Sequence, residues 1–234
     1  MTTFLLLHGA WHGGWVWQRV APLLRDAGHD VHTPTFTGLS DRAHTLNPSV
    51  GLSTHIEDVV ALVRAYDAHD VVLVGHSYAG QVVTGVADRV PHRVRQRIYL
   101  DAFVGDDGEA AIELQPATVA GHYRESVAGP GFGWLIPVRS LRVLGVTDES
   151  DVAWLSARLT PHPWLTYTEP LRLTGAADQV PATFIECTDW MRVFQAHAER
   201  AAARGWPVHT IATGHEAMVT APKELAELLV TIAG

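Results

Sequence analysis

Short runs of apolar β-formers recur along the chain, separated by longer stretches in which apolar residues return every three or four positions. FLLLH (4–8), VHTPTF (31–36), VVLVG (71–75), RIYLDAF (97–103), ATFIEC (182–187) and VHTIA (208–212) carry the strand pattern. These runs are near-continuous rather than alternating, as in strands covered on both faces. The order therefore predicts an α/β fold, a mostly parallel sheet with helices on both faces. Helical periodicity covers roughly 14–28, 54–69, 79–90, 192–204 and 222–232, with Gly28, Pro91 and Gly205 as stops and Pro222 as a start. Between Phe103 and Ala182 the alternation lapses into prolines, short helical fragments such as 149–158, and Trp134, Trp154 and Trp164. This predicts a helical cap inserted at about 105–180 over one end of a core formed by 1–104 and 181–234. The cap tryptophans either pack it onto the core, their commoner use, or line a pocket beneath it.

Composition narrows the picture. With 234 residues, 47% hydrophobic and 18% charged, and no linker or repeat, residues 1–234 are expected to form one domain. A formal charge of -8 without a basic stripe argues against nucleic acid or an anionic membrane as partner. No apolar run approaches the length of a membrane span, and the start MTTFLLLHGAW lacks the regions of a secretory signal. One cysteine, Cys187, cannot form an internal disulfide, so a reducing, cytoplasmic setting is the expectation.

Candidate chemistry begins at VVLVGHSYAG (71–80), where Ser77 stands between a predicted strand and a predicted helix. Small residues two before and two after it, Gly75 and Ala79, suit the tight turn that exposes a nucleophilic serine, although the last position is Ala where the usual pattern has Gly. An N-cap serine for the following helix explains the same residues equally well. Partners must therefore decide. A nucleophilic serine needs a base, and of the 14 histidines His215 follows the last predicted strand and precedes the last helix, on the same sheet end as Ser77. Two aspartates at strand ends, Asp101 and Asp189, could orient that imidazole, and each could equally be a turn or capping residue. Backbone amides suffice for an oxyanion. That of Tyr78 heads the helix, and that of Ala10 sits in the glycine-rich loop HGAWHGG (8–14). The same loop does not fit a dinucleotide turn: Gly9, Gly13 and Gly14 miss the GxGxxG spacing, and no acidic residue ends VHTPTF.

With these residues in order, the chain resembles the α/β-hydrolase superfamily throughout. HGAWHGGWVWQRVAPLLRDAGHDV, VVLVGHSYAG and FIECT…TGHEAM look like the plant methylesterase and hydroxynitrile-lyase family and its bacterial esterase relatives. The resemblance implies the α/β-hydrolase fold with Ser77 as nucleophile and His215 as base. Lyases of that family carry a threonine and a lysine at the positions of Gly9 and Glu216, which disfavours cyanohydrin cleavage here. The acid departs from the plant pattern: CTDWMRVF is shorter than its counterpart, and Asp101 stands where plant members carry a small apolar residue. Asp101 is therefore the expected acid and Asp189 the alternative.

The expectation is a cofactor-independent serine hydrolase of a small carboxylic ester, with no metal. A lyase or tailoring cyclase on the same frame, or a ligand-binding protein without catalysis, are the alternatives. The substrate is not readable from the cap, nor is the oligomeric state, a homodimer included.

Overall fold

A computed structural model describes residues 1–234. In chain order its elements are β1 (Thr3–Leu7), α1 (Ala21–Asp26), β2 (Asp30–His32), α2 (Leu52–Ala65), β3 (Val71–His76), α3 (Ala79–Arg89) and β4 (Val94–Leu100). There follow α4 (Ala117–Ala128), β5 (Leu135–Ile136), α5 (Glu149–Ser156), β6 (His162–Pro163) and α6 (Leu165–Thr168). The chain closes with β7 (Ala182–Cys187), α7 (Gln195–Ala203), β8 (Val208–Ile211), α8 (Ala217–Thr220) and α9 (Pro222–Ala233). Six strands form one sheet in the order β2-β1-β3-β4-β7-β8, and every pairing in it is parallel. β5 and β6 form a separate antiparallel pair.

Burial explains the strand pattern. Every residue of β3 and β7 is buried, as their unbroken apolar runs require, whereas the edge strands β2 and β8 are partly exposed. One core of 67 buried residues runs from Phe4, Val74 and Phe184 of the sheet to Tyr123, Ile136 and Tyr167 of the segment between β4 and β7. No helix is long and apolar enough to cross a membrane.

Two elements differ from the periodicity. The helix predicted over 14–28 splits into a 3-10 turn at Gly14–Trp17 and α1, because Pro22 lacks an N–H and fits only a helix's first turn. The strand predicted over 31–36 ends at His32. Pro34 cannot extend the ladder, and Thr35 instead accepts the Gly14 amide on its hydroxyl at 2.9 Å, tying this segment to the loop after β1.

The strand-to-helix turn at Ser77 is set by close packing. Ser77 has φ 56°, a left-handed conformation uncommon for a side-chain-bearing residue. Its N–H donates to the Leu100 carbonyl, and its own carbonyl accepts from Gly80 and Phe103, each at 3.1 Å. A Cβ on Gly80 would lie 2.1 Å from the Phe103 carbonyl oxygen, so α3 can press on the chain after β4 only because this residue is glycine. Gly80→Ala is expected to cost about 1–3 kcal/mol of stability by overpacking against backbone. Chemical denaturation measures this, and an unchanged midpoint would contradict the packing account.

Candidate active site

Four loops leave the carboxyl ends of β1, β3, β4 and β8 on one edge of the sheet, and each carries one of the residues singled out above. Ser77 and His215 both line a narrow cavity of about 50 Å³. His215 Nδ1 lies 2.7 Å from Asp101 Oδ2, with both side chains buried. The other Asp101 oxygen accepts the Cys187 amide at 3.3 Å. Burial pushes the Asp101 carboxyl above the usual range, and the hydrogen bond from His215 offsets part of this. Asp189 is exposed and only its backbone is engaged, its amide donating to the Thr213 carbonyl at 3.0 Å. The structure thus brings together Ser77, His215 and Asp101 and leaves Asp189 outside.

His215 is fixed on several sides. Its amide donates to the Leu144 carbonyl at 2.9 Å, and its carbonyl lies 3.0 Å from His76 Nε2. Its ring stacks on Phe194 at 5.1 Å and lies against Trp190 at 4.6 Å. Gly214 lets the segment between β5 and α5 come close, since a Cβ there would meet the Gly145 carbonyl oxygen at 2.6 Å. Trp190 and Phe194 stand in the CTDWMRVF segment already singled out, four residues apart. Nothing in that spacing alone aims them at a histidine.

The amides of Ala10 and Tyr78 donate to no other group in the protein. Each is held by its surroundings. Trp11, with φ 68°, donates its amide to His162 Nδ1 at 3.3 Å and its indole N–H to the Ile136 carbonyl at 3.1 Å. The Tyr78 hydroxyl lies 3.0 Å from His55 Nδ1, while His55 Nε2 donates to the Thr37 carbonyl. These histidines are posts rather than bases: burial lowers His55 to about 4 and His8 to about 3, and holds His76 and His162 well below the ordinary value. No motif in the segment between β4 and β7 could have marked His162.

The cavity wall is largely apolar, with Trp11, Tyr123, Tyr167, Trp190 and Phe194 beside aliphatic residues such as Val119 and Leu144. Trp134, Trp154 and Trp164 are absent from it. Trp154 packs edge-on against Trp15 at 5.1 Å, and Trp164 stacks on Tyr167 at 6.4 Å. The wall also holds Gln115 and Arg139, whose guanidinium lies over the Tyr123 ring at 5.1 Å, so it is not wholly apolar. A larger groove of about 480 Å³ between α1 and α9 contains none of these residues. Ring nitrogens of His76 and His215 and a Glu216 oxygen lie within 4.8 Å of one another, a spacing open to a metal ion. An ion there would occupy the one His215 nitrogen that Asp101 leaves free.

Comparisons with known proteins establish the family. Residues 4–228 match the alpha/beta hydrolase family, and the chain belongs to it. It is 39% identical to a carbendazim-hydrolysing esterase of Nocardioides sp. (strain SG-4G), over 99% of this chain and all of that protein. An alpha-hydroxynitrile lyase of Arabidopsis thaliana is 26% identical over 55% of this chain and 48% of its own length. Among solved structures, an extracellular alpha/beta-hydrolase from a Paenibacillus species superposes with a TM-score of 0.89 at 25% identity, covering 99% of this chain and 98% of that one. The sequence-based expectation of this fold and family is borne out.

The raised carboxyl of Asp101 has a consequence for stability. A carboxyl harder to ionise folded than unfolded costs stability above its folded pKa, and that cost disappears as pH falls through it. Asp101→Asn is therefore expected to melt at or above the wild-type temperature at pH 7, with the difference narrowing in acid. Thermal melts across pH read this, and a large drop in Tm at pH 7 would refute it.

Proposed function

We propose that Ser77, His215 and Asp101 act as nucleophile, base and orienting acid in the hydrolysis of a small carboxylic ester, with the Ala10 and Tyr78 amides as oxyanion donors. The chain is an esterase of the α/β hydrolase family, in line with its full-length similarity to an esterase. The observation that carries the residue assignment is the buried 2.7 Å contact between His215 and Asp101 beside a serine in a left-handed turn.

In this reading Ser77 Oγ attacks the ester carbonyl while His215, through the ring nitrogen that does not face Asp101, takes the hydroxyl proton. Negative charge collects on the carbonyl oxygen, where two free amides stabilise it in the transition state. His215 then returns the proton to the departing alkoxide, leaving an acyl-serine and an alcohol. A water molecule, deprotonated by the same ring, attacks the acyl carbon, and the proton passes back to Ser77 as the acid leaves. Asp101 holds the imidazole with Nδ1 protonated and stabilises its cation without taking the proton.

Gly9 supports hydrolysis over cyanohydrin cleavage. A side chain there would press on His76 Nδ1 at 2.8 Å and Ser77 Cβ at 3.0 Å, leaving little room for the threonine of the lyase pattern. Glu216 does not itself line the cavity, although one of its oxygens lies within 4.8 Å of a ring nitrogen of His215, which does. We read residues 105–180 as a cap within a single domain, and the narrow, mostly apolar cavity with its aromatic rings as suited to a compact, flat ester. The lone buried Cys187 supports a cytoplasmic setting.

A fluorophosphonate probe is expected to label the wild type and not Ser77→Ala. Turnover should fall about 10⁴-fold in Asp101→Asn and stay near wild type in Asp189→Asn. The reverse order would transfer the acid's role to Asp189. Across p-nitrophenyl esters of graded chain length, methyl esters of aromatic acids, and carbendazim, kcat/KM should favour short acyl chains and flat aromatic groups. A preference for long chains would contradict the cavity's dimensions.

A further inference from the structure

His12 and Glu216 face each other just behind the site, and neither has a part in the reaction above. The His12 ring is buried, with Nδ1 at 2.6 Å from the Ala10 carbonyl oxygen. A carbonyl only accepts, so Nδ1 carries a proton. The other ring nitrogen, Nε2, lies 3.5 Å from Glu216 Oε2. Neither Nε2 nor either Glu216 oxygen has any hydrogen-bond partner in the protein, although all three atoms are buried.

A carboxylate taken from water without a partner is costly, and a buried charge survives only where it is paired. Two imidazoles of the cluster besides His12 approach Glu216. His76 donates through Nε2 to the His215 carbonyl and is held neutral by burial, so it presents a lone pair rather than a proton on Nδ1. His215 gives its Nδ1 proton to Asp101. His12 is the remaining partner: its Nε2 faces Glu216 Oε2 at 3.5 Å and no other polar group in the protein.

We propose that the His12–Glu216 pair is a positioning device that holds the oxyanion loop in register with the base. The proposal rests on the esterase reading. His12 grips the carbonyl of Ala10, the residue whose amide is the proposed oxyanion donor, and Glu216 directly follows His215. Their loops leave β1 and β8, which β3, β4 and β7 separate in the sheet. No ladder hydrogen bond therefore sets one loop against the other. The pair does so across a single 3.5 Å contact.

A donor held in place for the transition state affects kcat rather than substrate binding. Active sites are first counted by fluorophosphonate titration run to completion, and kcat is expressed per titrated site. His12→Phe and Glu216→Met should each lose about 10- to 100-fold in kcat, the scale of a misplaced catalytic group, with KM nearly unchanged. The double variant should lose no more than the worse single one, because the two act as a unit. Glu216→Gln, whose side-chain amide can hydrogen-bond His12 Nε2 as donor or acceptor, should recover most of the loss seen in Glu216→Met. Additive losses, no recovery with Gln, or a fall in Tm with kcat per site unchanged would each overturn the proposal. If His12→Phe does not fold, the contrast between Glu216→Gln and Glu216→Met still decides it. A wild type that the probe does not titrate would sink the esterase reading instead.

Discussion

The parallel ladder of the central sheet is the constraint from which the rest of this structure follows. Parallel neighbours cannot be joined by a hairpin, so each connection crosses a face of the sheet and every strand ends on the same edge. Register then sets the heights of those ends. Leu7 pairs with Gly75, His76 with Leu100, Leu100 with Ile185, and Cys187 with Ile211. Loops leaving β1, β3, β4 and β8 therefore open into one crevice, where ligands of open α/β sheets bind. Strand pairing thus carries residues as distant in sequence as Ala10 and His215 to the same edge, and contacts between the loops set their final positions.

Backbone strain concentrates at that edge. Trp11, Ser77 and Asp101 all have left-handed φ, at 68°, 56° and 44°, and each is held by neighbours that leave no relaxed alternative. Asp101 donates its amide to the Ile185 carbonyl at 2.7 Å, Ser77 is gripped by Leu100, Gly80 and Phe103, and Trp11 is anchored through His162 and Ile136. A site built this way is preorganised at the expense of local stability, and the large shared core supplies the difference.

Charge is divided with the same economy. Several histidines crowd the region, yet burial keeps His8, His55, His76 and His162 neutral and confines them to hydrogen-bonding duty. His215 differs because a buried aspartate faces one nitrogen and the cavity lies beside the ring. What separates the base from the structural histidines here is a hydrogen-bonded aspartate on one side and the cavity on the other, rather than the residue type.

Much of the fold was legible in the chain because strands buried on both faces leave unbroken apolar runs, and helices between them leave a period near 3.6. Ser77 and His215 were legible for a related reason: a small-residue turn and a strand-end histidine have few other uses in combination. The segment between β4 and β7 was not, since neither period persists there. Trp154 and Trp164 pack structurally and Trp134 does not line the cavity, while Trp11 and Trp190 face it from loops of the sheet edge. The sequence by itself determined the elements, their order, and that a serine and a histidine end on one edge, because these depend on local periodicity and turn chemistry. Only the tertiary structure decided that Asp101 rather than Asp189 faces His215, and that Glu216 turns to His12. Both depend on which side chains the register of β4, β7 and β8 and the docking of the loops bring within a few ångströms, a distance that no local pattern encodes.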